Sequence, residues 1–129
     1  MESLSLNNKE TALHILKKIN EAIDKVLYRT QHISCADDFL LSPEGLEKLD
    51  AACMVIEAIG ESIKNLDKVT SGRLLVTYPK IEWKQVMGAR DVIAHHYFDI
   101  DAYEIYNIIN NDLATLKEAI IFLEDQIKK

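Results

Sequence analysis

Residues 101–127, DAYEIYNIINNDLATLKEAIIFLEDQI, decide the fold class. Ile105, Ile109, Leu113, Leu116, Ile120, Leu123 and Ile127 recur at steps of four and three, mostly heptad spacing, which is one apolar stripe of a helix. Asp101 and Glu104 form a D-x-x-E variant of the capping box and mark its start. Working outward, the same period recurs upstream. From about Lys9 to Arg29, Ala12, Ile15, Leu16, Ile19, Ala22, Ile23, Val26 and Leu27 make one stripe. Ser42 before Pro43 reads as an N-cap followed by proline at the first helical position. Leu46, Leu49, Cys53, Ile56, Ile59, Ile63 and Leu66 then carry a second helix to about Lys68. A third begins near Ile81 and carries Trp83, Val86, Met87, Ile93 and Ala94, with Trp83 as a core anchor.

Between the first two helices, Phe39, Leu40 and Leu41 suggest a single helical turn. The stretch from Val69 to Pro79 breaks the period, and Gly72 and Pro79 punctuate it. LLVTY within it has strand-like composition but no second strand to pair with, so an ordered loop is expected. The whole chain, 1–129, reads as one all-α domain. Its expected architecture is an antiparallel four-helix bundle with an additional short helical turn and one long ordered loop.

Bulk properties bound the function. The apolar fraction of 48% suffices for one buried core, which excludes a disordered chain. No apolar run approaches the roughly 18 residues of a membrane span, and the opening MESLSLNNKE lacks a basic-then-apolar export pattern. Cys35 and Cys53 form no C-x-x-C pair and read as reduced thiols. A cytoplasmic protein without membrane contact is expected. A net charge of −6 argues against a general nucleic-acid binder that relies on phosphate contacts. A local basic groove remains open, built from Lys17, Lys18, Lys25 and Arg29 with Lys80, Lys84 and Arg90, should the fold gather them. His14, His32, His95 and His96 show no metal-ligand spacing with cysteine or carboxylate, and no glycine loop is suited to cradle phosphate. Neither a metal nor a cofactor is expected.

Chemistry concentrates in RDVIAHHY, residues 90–97, where the third helix should be ending. Arginine is permanently cationic and can fork onto two phosphate oxygens. Histidine titrates near neutrality and can move a proton to or from a hydroxyl. At about 100° per residue, Arg90 and Tyr97 fall on nearly one face, but His95 and His96 lie to either side of Arg90. Helical geometry leaves the two histidines tied. Histidines capping a helix end, where the dipole favours a cation, would look the same.

RDVIAHHY fits R-x-x-x-x-H-x-Y and so resembles the signature of the HepT-like branch of the HEPN superfamily. Other stretches are similar to that family in the same order: AIGES at 58–62, YPKIEW at 78–83, GARDVIAHHYFDID at 88–101 and NDLATLKEAI at 111–120. The resemblance implies a ribonuclease toxin of a toxin–antitoxin pair, acting without metal at a cleft between two copies. It assigns Arg90 to the scissile phosphate and its transition-state charge. His95 becomes the acid or base for attack by the ribose 2′-hydroxyl. Tyr97 would receive AMP from a minimal nucleotidyltransferase antitoxin. Glu61, Asp91 and His96 are candidates for a supporting or substrate contact, Glu61 as a buried acid orienting Arg90 or His95. Gly60 breaks a good helical stripe, which close approach of a neighbouring helix would explain. The alternative reading is a non-catalytic helical subunit of a two-component nucleotidyltransferase, with Arg90 and His95 contacting nucleotide. In a third, the motif merely stabilises a dimer.

Overall fold

The computed structural model describes residues 4–129. For Arg90, His95, His96 and Tyr97 it describes the backbone path, and their side chains lie outside the described residues. Every regular element among these residues is helical. Helix α1 spans Leu6–Arg29, the one-turn α2 spans Asp37–Leu40, and α3 spans Pro43–Val69. A 3₁₀ turn at Leu75–Thr77 precedes α4, Trp83–His96, and a second at Tyr97–Asp99 follows it. Helix α5, Ala102–Asn107, runs through a π-helical turn, Ile108–Asp112, into α6, Leu113–Lys128.

Local chemistry explains most boundaries. Ser42 accepts a hydrogen bond from the Gly45 amide at 3.0 Å, with Pro43 at the first helical position as expected. Asp101 caps α5 by accepting from the Tyr103 amide at 2.8 Å. Helix α1 starts earlier than the apolar stripe indicates, because Ser5 accepts from the Asn8 amide at 3.1 Å. The region after α3 has no strand. The Gly72 amide closes back on the Asp67 carbonyl at 2.9 Å with Ser71 at φ 54°, a Schellman ending, and Leu74 and Leu75 then enter the core.

The core is built from the expected stripes: Leu16, Ile19 and Ile23 of α1, Cys53, Ile56 and Ile63 of α3, and Leu116, Ile120 and Leu123 of α6. Leu46 departs from its stripe and is partly exposed, since the neighbouring Gly45 takes the buried position instead. Of the apolar turn at 39–41, only Phe39 is buried. A Cβ at position 45 would collide with the carbonyl oxygens of Asp38 and Phe39, so α2 sits directly on the start of α3. Helix α3 is central and packs along α1 on one side and α4 on the other, while α1 also packs on α6. Lys117 fastens that last contact with hydrogen bonds to Asp24 and Asn20, at 2.6 and 2.9 Å. Helix α4 differs: among the described residues α3 is its one extensive helical partner. The side of the bundle between α4 and the α5–α6 rod is therefore open.

Both cysteines are free thiols, Cys35 exposed and Cys53 buried. Burial, reinforced by the charges of Asp50 and Glu57, pushes the Cys53 thiol up to about 11. Only thiolate reacts, so at pH 8 the folded protein should take up one equivalent of a thiol reagent, rising to two in denaturant, as counted by absorbance and intact mass. Gly45→Ala should lower stability by about 1–3 kcal/mol in urea unfolding, because the methyl group forces α2 off α3.

Candidate active site

The start of α4 is anchored before the motif begins. Trp83 packs against the core and donates its indole N–H to the Tyr78 carbonyl at 2.9 Å, as befits the expected anchor. Tyr78 in turn meets the Phe122 ring, with centroids 5.2 Å apart. Farther along, Ile93 is buried at 4% exposure and fixes the rotation of α4 on α3.

This rotation assigns every motif position to a stripe, since residues four, seven and eleven apart share a face. Arg90 takes the register position between Val86 and Ile93, and Tyr97 opens the 3₁₀ turn that follows α4. His95 shares a stripe with Lys84, Gly88 and Asp91; His96 shares one with Gln85, Ala89 and Val92. Helix α4 continues through His96, within the segment where its end is expected. Backbone register separates the two histidines without choosing between them.

The open side of the bundle forms two adjoining grooves. One, of about 380 Å³, is lined by Ile56 and Ile59 of α3, Val86 and Ala89 of α4, and Leu113 and Leu116 of α6. The other, of about 640 Å³, lies between Gly88, Ala89 and Val92 of α4 and Ile105, Asn107 and Ile108 of the opposite rod. Gln85, Ala89 and Ile108 belong to both, so the grooves are continuous. The π turn supplies their shared wall; such turns are enriched at functional sites. Lys80, Glu82 and Asp112 line the first groove, and Asp99, Asp101 and Glu104 line the second. Val92 is 54% exposed, and a Cβ added to Gly88 would meet nothing within 4 Å.

The remaining expected residues divide. Asp91 is exposed, and Glu61 is half-buried on α3 rather than sealed inside. Gly60 is buried within α3, the helix that packs on both α1 and α4. The broad basic groove does not form: of its six described members only Lys80 lines either groove, and Lys17, Lys18, Lys25 and Arg29 stand on α1, across α3 from α4. Sequence reasoning passed over Gly88 and Val92, although Gly88 in mid-helix was a visible signal. It also left Tyr103 and Tyr106 without a role. Tyr103 donates its hydroxyl to Asp37 at 2.6 Å and Tyr106 to the Ser34 carbonyl at 2.8 Å, tying α5 to the connection after α1. The hydrogen bond to Asp37 and that carboxylate's charge raise the Tyr103 hydroxyl above its ordinary pKa. Among the described residues no group of three His, Cys, Asp or Glu is placed to hold a metal ion, and no helix is long and apolar enough to cross a membrane.

An all-helical bundle carrying R-x-x-x-x-H-x-Y at the exit of α4 defines a domain of the HEPN class. The profile of the family described as "Ribonuclease HepT-like" matches residues 19–123, and the chain belongs to this HepT-like ribonuclease family. A "Probable ribonuclease HepT" of Thermococcus cleftensis is 31% identical over 102 residues, covering 79% of this chain and 86% of that one. A "Gamma-glutamylcyclotransferase and putative RNase" of Methanocaldococcus jannaschii is 31% identical over 116 residues, 90% of this chain. The chain spans 47% of that protein's length. A further "Putative RNase" of the same organism is 36% identical over 76 residues, 55% of this chain and 59% of that one. No solved structure matches the chain.

Because nothing among the described residues crowds position 88, Gly88→Ala should raise the stability of the monomeric chain, measured by urea unfolding at high dilution, by up to about 1 kcal/mol through helix propensity alone. A loss of stability at that dilution would mean that another part of the same chain closes on Gly88.

Proposed function

We propose that this chain is a metal-independent endoribonuclease toxin whose active site is completed by a second copy, and that a cognate nucleotidyltransferase silences it at Tyr97. One observation carries the reading: the family motif lies along the end of a helix that, among the described residues, has a single extensive partner, beside an open groove. Gly88 costs about 1 kcal/mol in mid-helix relative to alanine, and no neighbour among the described residues requires it. Close approach of a second backbone gives that glycine a purpose. In a two-fold pairing each residue near the axis faces its own copy. Antiparallel crossing of two α4 helices near Gly88 would oppose the Lys80, Glu82 and Lys84 end of one to the Asp99 and Asp101 end of the other. It would also bring two motifs to one cleft.

In that cleft Arg90 binds the scissile phosphate and stabilises the charge that gathers on its oxygens. One His95 takes the proton of the 2′-hydroxyl as its oxygen attacks phosphorus. The 5′-oxygen leaves with a proton from the other His95, giving a 2′,3′-cyclic phosphate and a 5′-hydroxyl. Asp91, Glu61 and His96 are assigned supporting or substrate contacts. AMP added to Tyr97 places anionic bulk beside the cleft and repels RNA. The ribonuclease names of the relatives support this reading for the family.

Expression of the chain in bacteria beside His95→Ala and His96→Ala variants tests it, following growth, RNA integrity and cyclic phosphate ends. The His95 variant should lose roughly 10²- to 10⁴-fold of the cleavage rate, and the His96 variant should keep most of it. Should all three proteins be soluble and leave RNA intact, a non-catalytic nucleotidyltransferase subunit becomes the reading. Mixing with a nucleotidyltransferase encoded beside it and ATP should add AMP mass to the wild type and none to Tyr97→Phe.

A further inference from the structure

Helix α5 is a groove wall with little apolar anchorage. Its six residues are too few for a stable helix alone, and of them Ala102 and Ile105 are buried, with the Tyr106 ring half-buried against the core. Yet Glu104, Ile105 and Asn107 line the groove beside the motif, and only residues 97–101 separate α5 from α4. Tyr103 and Tyr106 line neither groove. Their hydroxyls reach the connection after α1, donating to Asp37 at 2.6 Å and to the Ser34 carbonyl at 2.8 Å across 66 and 72 residues of sequence. That connection is itself held: the Ser34 amide donates to Asp38 at 2.7 Å and the Ile33 amide to the Thr30 carbonyl at 2.9 Å.

Apolar burial presses an element onto the core without direction, whereas a hydrogen bond fixes both distance and angle. Long apolar stripes place α1, α3 and α6, while α5 depends on two directional bonds. The bond to Asp37, a hydroxyl on a carboxylate, is of the stronger kind. We propose that Tyr103 and Tyr106, with Asp37, are positioning residues: their clasp sets the groove's width at the motif end and holds the 97–101 passage, and with it the end of α4 that carries His95, in place for cleavage. The proposal rests on the ribonuclease reading. A group that must meet a reacting atom can lose about 10²-fold in rate for a misplacement of about 1 Å, so a small shift of this wall is enough to matter.

The test uses the whole chain with Tyr103→Phe, Tyr106→Phe, the two together, Asp37→Ala and Asp37→Asn, and a single-stranded RNA oligonucleotide as substrate. Phenylalanine keeps each ring and removes only the hydroxyl. The double tyrosine variant should lose roughly 10- to 100-fold of kcat with KM within about twofold. Asp37→Ala should match Tyr103→Phe, and combining those two should cost no more than either alone. Asp37→Asn keeps an acceptor oxygen and should stay within about threefold of the wild type. Hydrogen exchange of the amides at 105–107 should quicken by roughly three- to tenfold in the double tyrosine variant. Additive losses from Tyr103 and Asp37 overturn the proposal, as does an unchanged kcat beside lowered stability in urea, which would make the clasp a folding staple. Unchanged exchange overturns it even where cleavage drops, since the hydroxyls would then act elsewhere. If the wild type leaves RNA uncut, the ribonuclease reading fails and the part in cleavage falls with it, while exchange still decides whether the clasp holds α5.

Discussion

The contact between α4 and α3 is the constraint on which the candidate site depends. Buried Ile93 and the Trp83 anchor fix the rotation of α4, and that rotation gives Arg90, His95 and His96 their register positions along it. Because α3 is the one extensive partner of α4 among the described residues, packing on one flank leaves the other flank as groove wall. A fully closed four-helix bundle would have buried the Gln85, Ala89 and Val92 stripe. The protein thus forgoes part of its possible core exactly beside its motif.

The opposite wall is held by different forces. The α5–α6 rod is fastened to α1 through Lys117, and α5 to the connection after α1 through Tyr103 and Tyr106. The π turn between α5 and α6 answers a detail of the apolar spacing. Ile105, Ile109 and Leu113 are two successive four-residue steps, which would drift around a regular helix, yet all three are buried. An i→i+5 turn at Ile108–Asp112 absorbs the drift and presents Ile108 to both grooves.

What could be read in the sequence was what local rules determine. Ser42 with Pro43, Asp101 at α5 and the stripes of α1, α3 and α6 follow from capping and periodicity, which need no knowledge of neighbours. The early start at Ser5 was hidden because its cap precedes the first apolar repeat. Gly45 was unreadable for a different reason: its need for a bare Cα comes from α2, and the way a one-turn helix folds back is a tertiary fact. The same holds for the open flank of α4, since an amphipathic helix with one partner and one with two differ by only a few half-exposed side chains. The motif itself was legible as residue types and as a resemblance. Which histidine serves lies beyond backbone register, which gives each a stripe of its own.

The short passage from α4 to α5 has a geometric corollary. Only residues 97–101 join the two groove walls at the acidic end, so His96 and Ala102 can stand no more than about 21 Å apart. At the far end, near Ile81 and Thr115, no such short covalent strap joins the walls. The walls are therefore tethered at the motif end, so any separation of them is limited there and not at the Lys80 end.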